Sequence, residues 1–390
     1  MRRFCWLACA ALLTGACSSG QGSGGQSSAS DRVATDSTDP VESNTTVPET
    51  TVAETSVPQT TVAETTTTEP IPMALVEGEP WIVYEGPLYE RHEGVGNRLV
   101  RPNGEDDHWA TPQVPRPKNG WQLSPDWSRD GLLLAFAAHD ATDDDKPRDL
   151  KTTDLWISSP DGTDAERVLD CVSPCVEFVD PAWSPDGTTI AFVEFDQTDG
   201  LSSFSLRSMD VATKVVTTLT NATGADEFTG PRWSPDGQRI VLGISRWTDR
   251  TLAQLTETAL AVVDLRESPL TPKVITDWSM WANHPDWHPS EDLIVFSTRP
   301  WKMLEGPSNL YTIRPDGSDL VQLTKFGAGE TRAVQPTWTP DGDRIIFTAV
   351  EGTGDGHPTM AIIQRDGSGL QSATSSGPMF GSHPRLRPGA

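Results

Sequence analysis

Short apolar runs alternate with polar turns along most of this chain. Runs such as Ile190-Ala191-Phe192 and Ile345-Ile346-Phe347 are rich in β-branched and aromatic side chains, and each follows a Pro-Asp-Gly turn. They lack the three- to four-residue apolar spacing of an amphipathic helix. The pattern therefore predicts short β-strands joined by tight turns.

One phrase, Pro-x-Trp-Ser-Pro-Asp-Gly followed by an apolar triplet, recurs along the chain. Its copies read PDWSRDGLLLAF, PAWSPDGTTIAF, PRWSPDGQRIVL, PDWHPSEDLIVF and PTWTPDGDRIIF, beginning at Pro125, Pro181, Pro231, Pro285 and Pro336, with a fragment at Pro384. A period of about 50 residues is typical of propellers, solenoids and arrays. Each unit also carries a second strand pair, often with an Asp-Gly or Asn-Gly hairpin, so it contains the four strands of one propeller blade.

These repeats resemble those of the TolB-type propeller family, which also occur in prolyl-oligopeptidase-class enzymes and oligogalacturonate lyases. The resemblance covers roughly residues 73–390 and implies an all-β fold, a six-bladed β-propeller of four-stranded antiparallel blades. Two departures are the missing α/β domain that precedes the propeller in TolB, and Ser290-Glu291 where repeat five should have Asp-Gly. The fold hosts binding proteins and enzymes alike, so the resemblance does not decide the function.

The two ends of the repeat region predict how the propeller closes. The C-terminal segment HPRLRPGA supplies only the first strand of a unit, whereas GEPWIVYEG from Gly78 begins where the second strand is expected. We therefore expect one composite blade shared between the two ends, which gives six blades in all. Such closure removes the free strand edges that could pair with other chains.

The N-terminus predicts export. Residues 1–16 contain two arginines, a short apolar stretch and a small-residue region that leads to Cys17, as in a signal peptide with a lipobox. The apolar stretch is about half the length of a membrane-spanning helix. We expect Cys17 to carry the lipid that anchors the protein to the bacterial cell membrane on its extracytoplasmic side. The alternative is an ordinary secreted protein in which Cys17 has no role.

Residues 17–72 are rich in Thr, Ser, Pro and Glu and contain no aromatic residue. Such a segment cannot bury enough apolar surface to fold, so we expect a disordered stalk. It could act as a spacer that lifts the propeller off the membrane, or simply as a solubilising tail. The predicted lipid anchor favours the spacer.

The remaining cysteines indicate a disulfide rather than a metal site, and the charge of the chain argues against a nucleic-acid partner. In an exported protein, Cys171 and Cys175 in LDCVSPCVEF are expected to form a disulfide, because a metal site would need more thiols or histidines than this segment offers. The formal charge is −25, with 55 acidic and 30 basic side chains. No basic stripe accompanies this charge, so no nucleic-acid partner is expected.

Candidate ligand-binding residues come from the position before each repeat proline. These six residues, which we call the ring residues, are expected to surround the mouth of the central channel on the side of the long loops: Ser124, Asp180, Gly230, His284, Gln335 and His383. Asp180, His284, Gln335 and His383 could form a polar pocket or, alternatively, hold a transition metal. Trp247 and Trp301, expected in long loops, are further candidates for ligand contact.

The repeat tryptophans indicate a structural role, and the sequence lacks the common enzyme motifs. The recurring tryptophans occupy one position of the repeat and are expected to pack between blades: Trp127, Trp183, Trp233, Trp287 and Trp338. The sequence has no nucleophile elbow, zinc-protease motif, phosphate loop or dinucleotide fingerprint.

The sequence therefore favours a monomeric, non-enzymatic binding or scaffold module. Its expected partner is an envelope protein or glycan, with no cofactor, no metal and membrane attachment through the N-terminal lipid only. The alternative is a metal-dependent lyase or hydrolase acting at the channel mouth.

Overall fold

A computed structural model of the protein describes residues 80–87, 95–111, 114, 120–139, 152–198, 201–224, 226–249, 254–298, 307–327, 329–351, 358–372 and 382–389. Within these ranges almost all regular structure is β-strand, and one short 3-10 helix spans Trp278–Met280. No helix in these ranges is long and apolar enough to cross a membrane. The predicted all-β class is confirmed, whereas the predicted signal peptide, Cys17 and the stalk lie outside the described residues.

The strands follow one another as antiparallel meanders, and the first strand of every meander after the N-terminal one carries a repeat proline. The first two groups are β1 (Ile82–Pro87), β2 (Val95–Val100) and β3 (His108–Trp109), then β4 (Gln122–Trp127), β5 (Leu134–His139), β6 (Thr153–Ser158) and β7 (Glu166–Leu169). Next come β8 (Cys175–Trp183), β9 (Thr189–Thr198), β10 (Leu201–Asp210) and β11 (Val216–Asn221), then β12 (Glu227–Trp233), β13 (Arg239–Asp249), β14 (Gln254–Asp264) and β15 (Lys273–Val274). The last groups are β16 (Ala282–Trp287), β17 (Ile294–Thr298), β18 (Asn309–Ile313) and β19 (Val321–Gln322), then β20 (Arg332–Trp338), β21 (Arg344–Val350), β22 (Pro358–Gln364), β23 (Gln371–Ser372) and finally β24 (Ser382–Leu386).

In the described residues these strands form five sheets rather than six separate ones. Four sheets have four strands each, and the fifth has eight because it contains both β4–β7 and β8–β11. A parallel bridge between Thr153 and Glu177 joins the two meanders, and the Thr153 hydroxyl donates to the Phe178 carbonyl at 2.7 Å. β8 can reach β6 because it begins at Cys175, six residues before its repeat proline, whereas β4 begins three residues before its own.

The two ends of the repeat region meet in one sheet, as the sequence predicts. β24 pairs antiparallel with β1, and the strand order of this sheet is β24-β1-β2-β3. The Arg387 amide also donates to the Trp81 carbonyl at 2.7 Å. The last strand thus completes a sheet that the first residues of the propeller begin.

The apolar core lies between successive meanders. One cluster contains Phe192 and Trp183 of the third meander together with Leu155 of the second. The last cluster joins Ile346 and Met360 near the C-terminus to Ile82 in β1 and so closes the circle of meanders. The expected packing role of the repeat tryptophans agrees with their burial: Trp127, Trp183, Trp287 and Trp338 are buried, and Trp233 is partly buried.

The predicted disulfide is present. Cys171 and Cys175 are bonded and buried in the cluster between the second and third meanders. The Cys171 amide donates to a carboxylate oxygen of Asp154 at 2.8 Å. The disulfide therefore fixes the short turn that leads from β7 into the long strand β8.

Candidate functional site

A β-bulge interrupts each of the six strands that carry a repeat proline, and it lies at that proline. Pairing with the next strand shifts register at this point in β4, β8, β12, β16, β20 and β24. Proline has no N–H to donate to the neighbouring strand, so the ladder is broken there and a bulge can form. The sequence pattern predicts that the residue before each repeat proline opens its strand, and this is wrong: Asp180, for example, is the sixth residue of β8.

All six ring residues have the same unusual backbone conformation. Their φ angles lie between 48° and 53°, the left-handed region: Ser124, Asp180, Gly230, His284, Gln335 and His383. Residues with a side chain adopt this region only with backbone strain, and backbone strain that is kept at a repeated position often marks a functional site. Here five of the six positions carry a polar side chain.

The ring residues converge on one cavity. Five of them line it, namely Asp180, Gly230, His284, Gln335 and His383, together with Arg232, Pro285, Pro336, Thr337 and Arg385. The cavity volume is about 20 Å³, enough for a water molecule or the end group of a ligand. The predicted convergence of Asp180, His284, Gln335 and His383 is observed, and their binding of a ligand remains a prediction.

One side of the ring is held by two carboxylates. Asp180 accepts from the Ser124 hydroxyl at 2.7 Å and from the Gly230 amide at 2.8 Å. Glu85, in β1, accepts from the Ser124 amide and, at 2.7 Å, from the Ser382 hydroxyl. Burial acts to raise the pKa of Glu85, but the charge of His383 and these hydrogen bonds together hold that pKa below its ordinary value. Glu85 is thus a buried carboxylate that links three segments of the ring.

The other side of the ring is formed by imidazole and amide groups. His383 Nδ1 lies 3.1 Å from Glu85 Oε1, and Gln335 Nε2 lies 3.1 Å from His383 Nε2. The ring centroids of His284 and His383 are 5.8 Å apart in an edge-to-face arrangement, and His284 Nδ1 lies 2.7 Å from the Asn283 amide oxygen. The two histidines therefore share one wall of the cavity.

A second set of residues, five of them polar, lies two positions after each ring residue, at the x of Pro-x-Trp or, in the last copy, of Pro-x-Leu. These residues, which we call the inner residues, are Asp126, Ala182, Arg232, Asp286, Thr337 and Arg385. Arg385 donates to Asp286 at 2.8 Å and to the Thr337 hydroxyl at 2.6 Å. Sequence reasoning missed them because this repeat position has no consensus, although aligning it as the ring position was aligned would have revealed two acids and two arginines.

Burial dominates the electrostatics of the inner residues. It raises the pKa of Asp286 above its ordinary value, although the nearby charges of Arg385 and Arg232 act in the opposite direction. It also lowers the pKa of Arg232, and the adjacent Arg385 charge adds to this effect. Arg232, Asp286 and Arg385 therefore form a buried network of charges at the cavity.

Of the two tryptophans predicted to contact a ligand, the structure describes Trp247, which does not line the cavity. Trp247 was expected in a loop but lies in β13, because β13 and β14 extend for 11 residues each. Its indole N–H donates to Glu227 at 2.9 Å, and it is not among the residues that line the cavity. Trp301 lies outside the described residues.

Among the described residues, one group of three His, Cys, Asp or Glu side chains has ligand atoms close enough together to hold a metal ion. It lies outside the ring and comprises Cys175, Glu194 and Asp196. Cys175 is bonded to Cys171 in this structure, so its sulfur is not a free thiolate. Burial, followed by the charge of Asp196, raises the pKa of Glu194 to about 7.

Comparisons with known proteins give the fold. No protein-family model matches the chain. An uncharacterised protein of Agrobacterium fabrum is 25% identical over 275 residues, which covers 61% of this chain and 86% of that protein. TolB from Acinetobacter baumannii matches with a TM-score of 0.57 at 16% identity, over 80% of this chain and 68% of that chain.

Two further solved structures are similar. A protein of Agrobacterium tumefaciens described as TolB has a TM-score of 0.51 at 19% identity, over 78% of this chain and 90% of that chain. Hydrazine synthase of Kuenenia stuttgartiensis has a TM-score of 0.59 at 12% identity, over 79% of this chain and 46% of that chain. At these identities the matches show a shared fold, and this fold occurs in an enzyme as well as in TolB proteins.

Proposed function

Because the chain has the TolB-like β-propeller fold, we propose that it is a binding or scaffold module that contacts its partner through the ring residues. The supporting observation is the cavity at which polar side chains from separate meanders converge. Polar groups that converge on a concave site are typical of ligand recognition. The partner we propose is a protein or a glycan of the cell envelope.

The proposal includes the export signals in the sequence. Cys17 would carry the lipid, and residues 17–72 would form the spacer between the membrane and the propeller. With this arrangement the propeller works as a monomer on the extracytoplasmic side, at a distance from the membrane that depends on the stalk.

We also propose that the eight-stranded sheet comprises two blades, so that the propeller has six. A single bridging pair, Thr153 with Glu177, joins its two meanders. Each meander separately has the strand order of the four-stranded sheets. The six ring positions would then be one contribution from each blade.

Replacing the two ring histidines tests the proposal. We expect His284→Ala and His383→Ala to reduce capture of the partner from an envelope extract about tenfold each, as for residues at the centre of an interface. Mass spectrometry and glycan analysis of the captured material provide the readout. His108→Ala is the matched control, because His108 lies in β3 and not at the cavity.

The stability of each variant must be checked by thermal melting, since His383 contacts buried Glu85. Capture that is unchanged in both folded variants would contradict the proposal. A capture defect in His284→Ala carries the most weight, because that substitution leaves the His383–Glu85 contact in place.

The second candidate function is a metal-dependent lyase or hydrolase. It is favoured by the proximity of the His284 and His383 rings, since imidazole is a common ligand of transition metals. Elemental analysis of the same wild-type and variant preparations separates the two candidates. Stoichiometric metal in the wild type that is lost in both histidine variants would support the enzyme.

A further inference from the structure

Two buried arginines at the cavity have hydrogen-bond donors without an acceptor. Arg232 and Arg385 are 7% and 8% exposed, and the Nε–H of each donates to no protein atom. The nearest carboxylate oxygens are at 3.8 Å for Arg232, from Asp286, and at 3.7 Å for Arg385, from Asp126. Leaving a buried charged donor unsatisfied is costly, so an acceptor is expected at this place.

The acceptors around these arginines, in contrast, are already in use. Asp286 accepts from Arg385 and from the Trp338 amide, each at 2.8 Å. Asp126 accepts from the Trp183 amide at 2.9 Å, and Asp180 and Glu85 accept from the ring as described above. Each of these carboxylates thus already accepts from a protein donor, whereas the two Nε–H donors have no protein acceptor.

We propose that the channel binds a carboxylate, namely the C-terminal carboxylate of a polypeptide partner, on Arg232 and Arg385. This inference rests on the proposed function, because it specifies which part of a partner enters the ring. The two oxygens of a carboxylate match two guanidinium N–H donors, and such charge-assisted hydrogen bonds are stronger than neutral ones.

The dimensions of the site favour an end group. Both arginines approach the same oxygen of Asp286, at 2.8 Å from Arg385 and 3.8 Å from Arg232. The space above them is narrow, with a volume of about 20 Å³. An extended chain end can enter such a space, whereas the carboxylate of a uronic acid is attached directly to a bulky sugar ring.

The wild-type protein provides the first test. In the ¹⁵N-labelled full-length chain, two arginine Nε–H resonances should shift on titration with formate at constant ionic strength, and they should not shift with chloride. Triglycine should shift the same resonances, and triglycine amide, which lacks the carboxylate, should not. Glucuronate serves as the comparison for a glycan source.

Variants then locate the site. Arg232→Lys and Arg385→Lys keep a positive charge but lose the Nε–H, so each should weaken triglycine binding about tenfold. Arg239→Lys is the control, because Arg239 lies outside the cavity and pairs with Asp292 at 2.6 Å. Should Arg385→Lys fail to fold, Arg232→Lys and the wild-type titrations still decide.

Shifts with formate and triglycine that are lost in Arg232→Lys support the proposal. No shift with any carboxylate, or shifts that persist in both lysine variants, overturns it, and binding of glucuronate without triglycine overturns the polypeptide assignment. Failure here combined with a capture defect in His284→Ala would leave the proposed function intact and reject only the carboxylate.

Discussion

Truncation of the chain after Ser382 is expected to abolish cooperative folding of the propeller. The deletion removes most of β24, and with it the strand that pairs with β1. It also removes the Arg385 carbonyl that accepts from the Trp127 indole at 3.1 Å, and the Arg387 guanidinium that donates to the Gly131 carbonyl at 2.8 Å. Domains of this kind are stable by only about 5–15 kcal/mol, so losing these contacts together should remove most of that stability.

The buried charges make this deletion worse than the loss of an ordinary edge strand. Glu85 loses His383, and Asp286 loses Arg385, so two buried carboxylates each lose a charged partner. Each such loss is strongly destabilising on its own. Denaturant unfolding followed by tryptophan fluorescence measures the effect.

Truncation after Arg387 is the matched control. It removes Pro388, Gly389 and Ala390 but keeps β24 and the Arg387 contacts. We expect a change in unfolding free energy of less than about 1 kcal/mol, the range of substitutions away from structural features. If truncation after Ser382 behaves like this control, the closure of the propeller by β24 is not required for folding.

Asp286→Ala is expected to cost about 3–5 kcal/mol of unfolding free energy, the usual result of breaking a buried ion pair from one side. Asp286 accepts from the Trp338 amide and from Arg385, and Arg232 lies 3.8 Å away. Its removal leaves two buried guanidinium groups close together without the carboxylate that separates their charges. Chemical denaturation at neutral pH is the appropriate measurement.

Asp292→Ala tests whether the effect depends on burial. Asp292 belongs to the same repeat as Asp286 and pairs with Arg239 at 2.6 Å, but its side chain is 48% exposed. Its loss should therefore cost less than about 1 kcal/mol of unfolding free energy. Asp286→Asn should have an intermediate effect, because the amide oxygen can still accept from the Trp338 amide. Equal costs for Asp286→Ala and Asp292→Ala would show that the inner residues are not a buried charge network.

The sequence predicts the architecture well because each copy of the repeat specifies the same strand, turn and core positions. Strand, turn and buried tryptophan occupy fixed positions in each copy, so the all-β class, the closing strand from Ser382 and the core role of Trp183 follow from the repeat. The pairing of Cys171 with Cys175 follows from the expected compartment. These features depend on local chemistry or on the period.

The fused eight-stranded sheet could not be predicted in this way. It arises because β8 extends toward its N-terminus until Glu177 meets Thr153, and strand length in these segments is set by neighbouring strands rather than by the motif. Trp247 illustrates the same limit. The segment around it reads as a long loop, yet β13 and β14 pair as far as Asp249 with Gln254.

The candidate site was predictable in position but not in detail. Aligning the residue before each proline identifies His284 and His383, but their edge-to-face contact depends on bulges that the sequence does not specify. Glu85 was missed because it belongs to β1, outside the repeat phrase. The inner residues Arg232 and Arg385 were visible in the alignment and unrecognised, since only the structure shows that they are buried and paired with Asp286.

Blocking the cavity without removing any ring side chain tests the central claim most directly. Gly230 can accept a side chain, because an added Cβ has only Pro285 Cδ within 4 Å, at 3.9 Å, and other ring residues carry side chains at the same φ. Asparagine tolerates this left-handed backbone better than most residues, so Gly230→Asn should keep the fold, and its short side chain should occupy the cavity, whose volume is about 20 Å³.

Gly187→Asn is the control, because Gly187 lies in the turn after β8, also with φ positive and no atom within 4 Å of an added Cβ. We predict that capture of the envelope partner falls at least about tenfold in Gly230→Asn and stays unchanged in Gly187→Asn. Undiminished capture by a folded Gly230→Asn protein would contradict binding through the ring.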